Sequence, residues 1–287
     1  MFRWCKLSLF LSLLMLGACS GTTLLYNRLD FLVPWYVDDY AELNGEQETY
    51  LEELLTPFLA WHRAQELPSY VKILGDIEAS LDEPETQAGV EAIFAEFERA
   101  WLRLEGEALD SLLDLGAQLS DTQLDGFLEV LWEQQDEYKE EYLERPDDEF
   151  YEDSYDNLKD NAKEYLGALS DKQRDILRES SSKLLRSDEE WLRERADWFK
   201  QLEVILKRGP QWQQRVRAAV AARRDKFSPE YVRIYENNSV VIADAIARLL
   251  NSRTERQDRH VRLKLSRLRE DFETLIAEGK AAGTPAG

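Results

Sequence analysis

The sequence predicts an all-α protein, an elongated multi-helix bundle, and three observations predict it. From residue 19 onward the chain holds 38 Leu against 12 Val and 9 Ile, a balance that suits helices rather than strands. Apolar residues recur at steps of three and four, and no stretch alternates as a half-buried strand would. Five segments place an Asn, Ser or Thr just ahead of a periodic run, in the Leu-Ser-x-x-Gln style of a capped helix start. With 44% apolar residues and only 13 Gly and 8 Pro, the 287 residues can build a packed core, which excludes a collagen-like chain and wholesale disorder.

The first element is a leader. Arg3 and Lys6 open it, Leu7 to Leu16 is an apolar run broken only by Ser8 and Ser12, and Leu16-Gly17-Ala18-Cys19 closes it. A run of about ten residues is too short to span a bilayer and has the length of a signal-peptide core. Small residues ahead of a Cys resemble the lipobox of bacterial lipoproteins, which implies cleavage between Ala18 and Cys19 and acylation of Cys19. An ordinary secretory signal with an incidental Cys is the alternative. Loss of residues 1–18 removes Arg3, Lys6 and Cys5, so the net charge moves from −21 to −23 and Cys19 is the only cysteine left. An acylated Cys forms no internal disulfide, so burial alone holds the fold. Ser20 rather than Asp after the Cys implies, by the usual lipoprotein sorting rule, the periplasmic face of the outer membrane, with the inner membrane as the other option.

Residues 19–34 follow as a lipid-anchored segment and 35–279 as a periplasmic helical domain. Helices are predicted over 35–42, 45–66, 69–81, 86–117, 121–144, 147–168, 171–184, 188–208, 211–226, 229–251 and 255–278. Pro34, Pro68, Pro84, Pro146, Pro210 and Pro229 lie near starts, where the missing N–H costs nothing. Pro57 falls inside an apolar pattern and predicts a kink or break. Asn44 with Gln47, Ser120 with Gln123, Ser170 with Gln173 and Thr254 with Gln257 form capping boxes, and Ser228 a looser cap. Val90, Ile93, Phe94, Phe97, Trp101, Leu104, Ala108 and Leu112 put one apolar stripe on the long helix; Val261, Leu265, Leu268, Phe272 and Leu275 repeat it near the end. A sub-boundary falls near 185–210, and 280–287 is expected to be a disordered tail. Trp35, Tyr36 and Tyr40 are expected to be core or staple residues docking the first helix, with a place at the membrane interface as the alternative.

Tyr26-Asn27-Arg28-Leu29-Asp30, Trp35-Tyr36-Val37-Asp38-Asp39-Tyr40 and Trp61-His62-Arg63-Ala64-Gln65-Glu66-Leu67-Pro68, behind a leader and Cys19, resemble an uncharacterised family of Gram-negative lipoproteins. The resemblance spans most of the chain. It implies the location and a helical fold, and it has no known activity to lend. The Leu-Ser-x-x-Gln copies also resemble the Leu-Thr-x-x-Gln motif of small Spy/CpxP-type periplasmic proteins, which are all-helical and include a chaperone and a stress regulator. That likeness covers five residues at a time, with Ser or Asn where the strict motif has Thr.

Catalytic templates fail. There is no Gly-x-Ser-x-Gly, His-Glu-x-x-His, phosphate-binding Gly loop or EF-hand loop. The residues three before His62 and His260 are Leu59 and Gln257, so a ferritin-type Glu-x-x-His site is absent. His62 reads as a packed or helix-end residue and His260, among Arg256, Arg259 and Arg262, as exposed. The acidic run Glu129 to Asp160 reads as a solvated face. No catalytic residue, metal or cofactor is expected. Charge is uneven: residues 207–269 hold 16 Lys+Arg against 6 Asp+Glu, while 19–206 hold 17 against 47. Either the basic helices pack beside the acidic ones, or Arg215, Arg217, Arg223, Arg224 and Arg233 form a basic surface for anionic lipid head groups or other envelope proteins. Nucleic acid is excluded as a partner by compartment and net charge. The function expected is non-enzymatic binding, as scaffold or chaperone-like surface, with a carboxylate-using enzyme of envelope lipid or peptidoglycan as the alternative.

Overall fold

The computed structural model describes residues 21–282, and among them the regular structure is all helical. Cys19, Ala18 and the end of the tail lie outside the described residues. Helices α1 (Gly21–Tyr26) and α2 (Leu29–Ala41) lead to α3 (Gly45–Trp61), which runs through a π-turn (His62–Glu66) into α4 (Leu67–Ser80). Then come α5 (Gln87–Gln118), α6 (Asp121–Tyr138) with a second π-turn (Lys139–Leu143), α7 (Asp147–Leu166), α8 (Asp171–Ser181) and α9 (Asp188–Ile205). Helix α10 (Trp212–Ala222), a 3₁₀ turn (Arg224–Lys226), α11 (Pro229–Asn251) and α12 (Glu255–Ala282) complete the order.

Four details depart from expectation. The helix expected from 35 begins at Leu29, with Pro34 inside it. The proline removes one bond, to the Asp30 carbonyl, at a residue exposed to water that can replace it. Pro57 causes no break: α3 continues through it to Trp61. The distortion falls ahead of Pro68 instead, where the Leu67 N–H bonds to the His62 carbonyl five residues back. The widened turn makes room for a ring that would otherwise press on the Ala64 carbonyl. Finally, Lys280 belongs to α12, not to a disordered tail.

The bundle is assembled from hairpins laid against each other. Helix α4 lies along α12, α5 along α11 and α3, α6 against α2 and α9, α7 against α8 and α12, and α8 against α11. Helix α5 has 32 residues, about 48 Å of rod at 1.5 Å per residue. It meets different partners along its length, so its buried face drifts. Val90 and Ala100 are buried, then Leu113 and Leu115 take over, and Leu112 of the expected stripe is exposed. Burial is accordingly spread over separate clusters. One joins Tyr26, Leu67, Tyr70 and Leu74 to Val261, Leu265, Phe272 and Leu275. Others form around Leu43, Leu51, Leu115 and Leu124, and around Leu166, Leu169, Leu177 and Leu249.

Candidate functional site

The cap residues come together in pairs. Asn44 accepts from the Glu46 and Gln47 N–H groups, and the Asn44 N–H donates to Gln47 Oε1 at 3.0 Å. Ser120 with Gln123 and Ser170 with Gln173 make the same reciprocal bonds, and so do Thr254 and Gln257. Ser228 accepts from the Tyr231 N–H alone, because a tyrosine stands where the box glutamine would be. The boxes then meet across the molecule. Gln47 Nε2 donates to the Gln118 carbonyl at the end of α5 (2.8 Å) and Gln123 Nε2 to the Ala41 and Glu42 carbonyls at the end of α2, while the two amides bond each other. Gln257 Nε2 likewise donates to the Ala168 carbonyl after α7 (2.9 Å), and Gln173 and Gln257 exchange bonds at 3.0–3.1 Å. Each amide therefore caps its own helix and satisfies the carbonyl end of the opposing hairpin. Leu43, Leu119 and Leu169, one before each cap, are buried beside these junctions. Arg253 stands in that place at the fourth and bonds the Leu81 and Leu250 carbonyls and Asp258.

A concavity lies at the first π-turn. An open cleft of about 720 Å³ is lined by Trp61, Gln65, Glu66 and Ser69 on one wall and Leu102, Arg103, Gly106 and Glu107 of α5 on the other. At its floor Glu66, only 3% exposed, accepts from Arg103 Nε at 2.7 Å and Nη2 at 2.9 Å. Both carboxylate oxygens are engaged in a forked pair. Arg103 keeps its outer side toward solvent, at 44% exposure.

His62 occupies the same turn but points into the core. Its Nδ1 lies 2.8 Å from the Tyr26 hydroxyl, its ring stacks on Tyr26, and Tyr70 meets it edge-on at 5.5 Å. Burial, opposed by Glu66 and assisted by Arg63, pushes the imidazole down to about 4, so it is neutral at pH 7. Burial also pushes the Tyr26 hydroxyl up to about 12 and Tyr70 higher still. This is a packed polar knot, with the phenols protonated. His260 is half-buried against α7, its Nε2 3.4 Å from the Glu164 carbonyl, and not exposed.

The second π-turn has its own support. Arg186 Nη2 takes the Tyr142 and Leu143 carbonyls at 2.7 and 2.9 Å, and its Nε holds Asp188 at 2.9 Å. Asp188 is buried and also approached by Tyr138 and Arg145. Sequence alone singles out none of Asp188, Arg186 and Arg103, and Glu66 only as one residue of the segment 61–68. In a chain so rich in ion-pair residues, nothing local separates them from surface charges.

The five arginines proposed as a basic surface are mostly spent on acidic neighbours. Arg217, Arg223 and Arg224 reach Asp110, Glu105 and Glu98 of α5, the first two at 2.8 Å, and Arg233 pairs with Glu230 on its own helix. Arg215 stands exposed. The pairing favours the packing alternative: three of the five arginines meet carboxylates of α5. The aromatic expectation is also corrected, since Trp35 and Tyr36 are exposed and only Tyr40 packs inward, against Phe127. Among the described residues no three His, Cys, Asp or Glu side chains gather in a way that could hold a metal, and no helix is long and apolar enough to cross a membrane.

Over residues 39–232 the chain matches the model of a family of unknown function, DUF6279. The chain belongs to this family. The DUF6279 match takes in α3 to α10, both π-turns, the Glu66–Arg103 pair and the Gln47–Gln123 junction. It ends within α11, so Gln257 and all of α12 lie beyond it. No curated protein and no solved structure matches the chain.

Proposed function

We propose that this DUF6279 protein is a lipoprotein anchored through Cys19 at the periplasmic face of the outer membrane, and that it acts by binding, as a rigid scaffold for other envelope proteins. The observation that carries the binding reading is the forked Glu66–Arg103 pair. The buried carboxylate in the cleft is held at both oxygens, which leaves it poorly placed to move protons. The cleft combines apolar Trp61 and Leu102 with the open side of Arg103, a surface suited to a protein loop bearing an acidic and an apolar side chain. The scaffold form is favoured over the chaperone form, to which the Spy/CpxP likeness points. Outside the N-terminal helices the exposed large apolar residues, Leu102, Leu112, Tyr151, Val204, Val240 and Leu263, are scattered through the sequence, not gathered on one element.

Metabolic labelling with a fatty acid tests the anchor: wild type takes the label and Cys19→Ser does not. A photo-crosslinker at Gln65 in intact cells tests the binding reading. It should capture a partner that is lost in Arg103→Ala. Suppression of client aggregation by the soluble form would favour the chaperone form instead. Turnover of envelope lipid or peptidoglycan, abolished by Glu107→Gln at the cleft, would overturn the binding reading.

A further inference from the structure

Helix α2 is apolar on two sides, and only one of them is covered. Val37 and Ala41 face the α3–α6 junction and Tyr40 packs on Phe127. On the other side Phe31 is 68% exposed, Trp35 61% and Tyr36 58%, and in α1 Leu24 is 63% exposed. Phe31 and Trp35 are four residues apart and so share a helical face. Exposed Asp39, four residues beyond Trp35 and three beyond Tyr36, is a charge on the same side, so the face is amphipathic: aromatic rings beside a carboxylate.

We propose that this outer face of α2 lies on the lipid bilayer, with Phe31, Trp35 and Tyr36 seated at the head-group level. The inference rests on the reading that Cys19 is acylated. Ser20 alone separates Cys19 from Gly21, so the start of α1 is within about 7 Å of the anchor. Two helices joined by a two-residue turn lead from there to Trp35, a path of roughly 20 Å at helical rise. The anchor thus holds α2 within reach of the surface, and a two-signal attachment is the arrangement that makes binding stable. The residue types fit, because Trp and Tyr favour the membrane interface. A second copy fits less well. Asp30, Asp38 and Asp39 flank the aromatic residues, and self-association would set these carboxylates against their own images. The same carboxylates favour zwitterionic over anionic head groups.

The test uses the protein expressed with its leader in a Gram-negative host, extracted in detergent and reconstituted into phosphatidylethanolamine-rich vesicles with brominated acyl chains. Bromolipid should quench part of the tryptophan emission. Trp35→Phe should cut the quenched amplitude by at least about two-fold, since Trp35 sits where the ring meets lipid. Trp198→Phe, in the α9–α10 cluster, should leave it unchanged. Phe31→Ser with Tyr36→Ser should also lower it while far-ultraviolet circular dichroism stays helical. Equal quenching in wild type and Trp35→Phe overturns the proposal. Vesicles that carry the protein on flotation but quench nothing overturn the docking and leave the anchor standing. A protein that does not float overturns both. A dimer cross-linked through position 35 would assign the face to a second copy and overturn it too.

Discussion

At Gln47 the side-chain amide works at both ends: Oε1 accepts from the Asn44 N–H, and Nε2 donates to the Gln118 carbonyl and to Gln123. A glutamate serves equally well at this position of an isolated capping box, yet all four boxes here carry glutamine. The donor half of the amide explains the choice. Gln47→Glu would keep the cap and turn a carboxylate of this buried side chain against the Gln118 carbonyl, so it should cost about 1–3 kcal/mol in urea unfolding, whereas an ordinary box would lose almost nothing. His62 supplies a second prediction. Its folded-state pKa, about 4, lies below the unfolded value of about 6.5. Between those values the unfolded chain binds the extra proton, so stability rises with pH. The contribution is fully present above about 6.5 and is lost as pH falls toward 4. His62→Phe keeps a ring in the stack and removes the titration. The stability gap between wild type and variant should narrow by about 2 kcal/mol from pH 7 to pH 5. A gap independent of pH would show that His62 is not held neutral.

Helix starts are the elements the sequence displays most openly, because a cap and its glutamine lie within four residues of each other. Ser170 illustrates the expected energetics: Ser170→Ala should cost about 0.5–2 kcal/mol and Ser170→Gly only a few tenths. Equal losses would mean that the Ser170 Oγ bond to the Gln173 N–H carries little stability. What local pattern does not reveal is that the box at 44–47 meets the one at 120–123, and that at 170–173 meets the one at 254–257. Those pairings join residues 76 and 84 positions apart. Prolines show the same division. Pro229 at the start of α11 follows the local rule, whereas Pro57 is absorbed by α3 and the widened turn falls before Pro68, where tertiary packing of His62 and Glu66 sustains it. Glu66 and Arg103 were illegible for a related reason. Their pairing spans 37 residues, and each alone resembles any helical surface charge.

Across the whole molecule, the opposed charges of the N-terminal and C-terminal parts become interface. Arg223 and Arg224 meet Glu105 and Glu98 on α5, Arg262 meets Asp82, Lys264 meets Glu164 and Arg269 meets Glu78. These pairs stay in reach of solvent, the Arg223–Glu105 pair least so at 19% exposure on each side, so each contributes on the order of 1 kcal/mol, and their larger effect is to orient the basic helices on the acidic ones. The apolar clusters set the energy scale. Val261, Leu265, Phe272 and Leu275 of α12 cover Leu67, Tyr70 and Leu74 of α4, and Ala243 and Ala247 of α11 cover Val90 of α5. The region matched to DUF6279 stops at residue 232, before all of these covering residues. A chain ended after Val232 should therefore not keep the bundle. Uncovering even three large side chains costs about 5–9 kcal/mol, comparable to the whole stability of a typical domain. It would also leave Gln173 without Gln257. The expected outcome is a truncated protein with reduced helicity, no cooperative urea transition and strong binding of an apolar dye. A truncated protein that unfolds cooperatively at the wild-type midpoint would show that residues 39–232 fold independently of the last two helices.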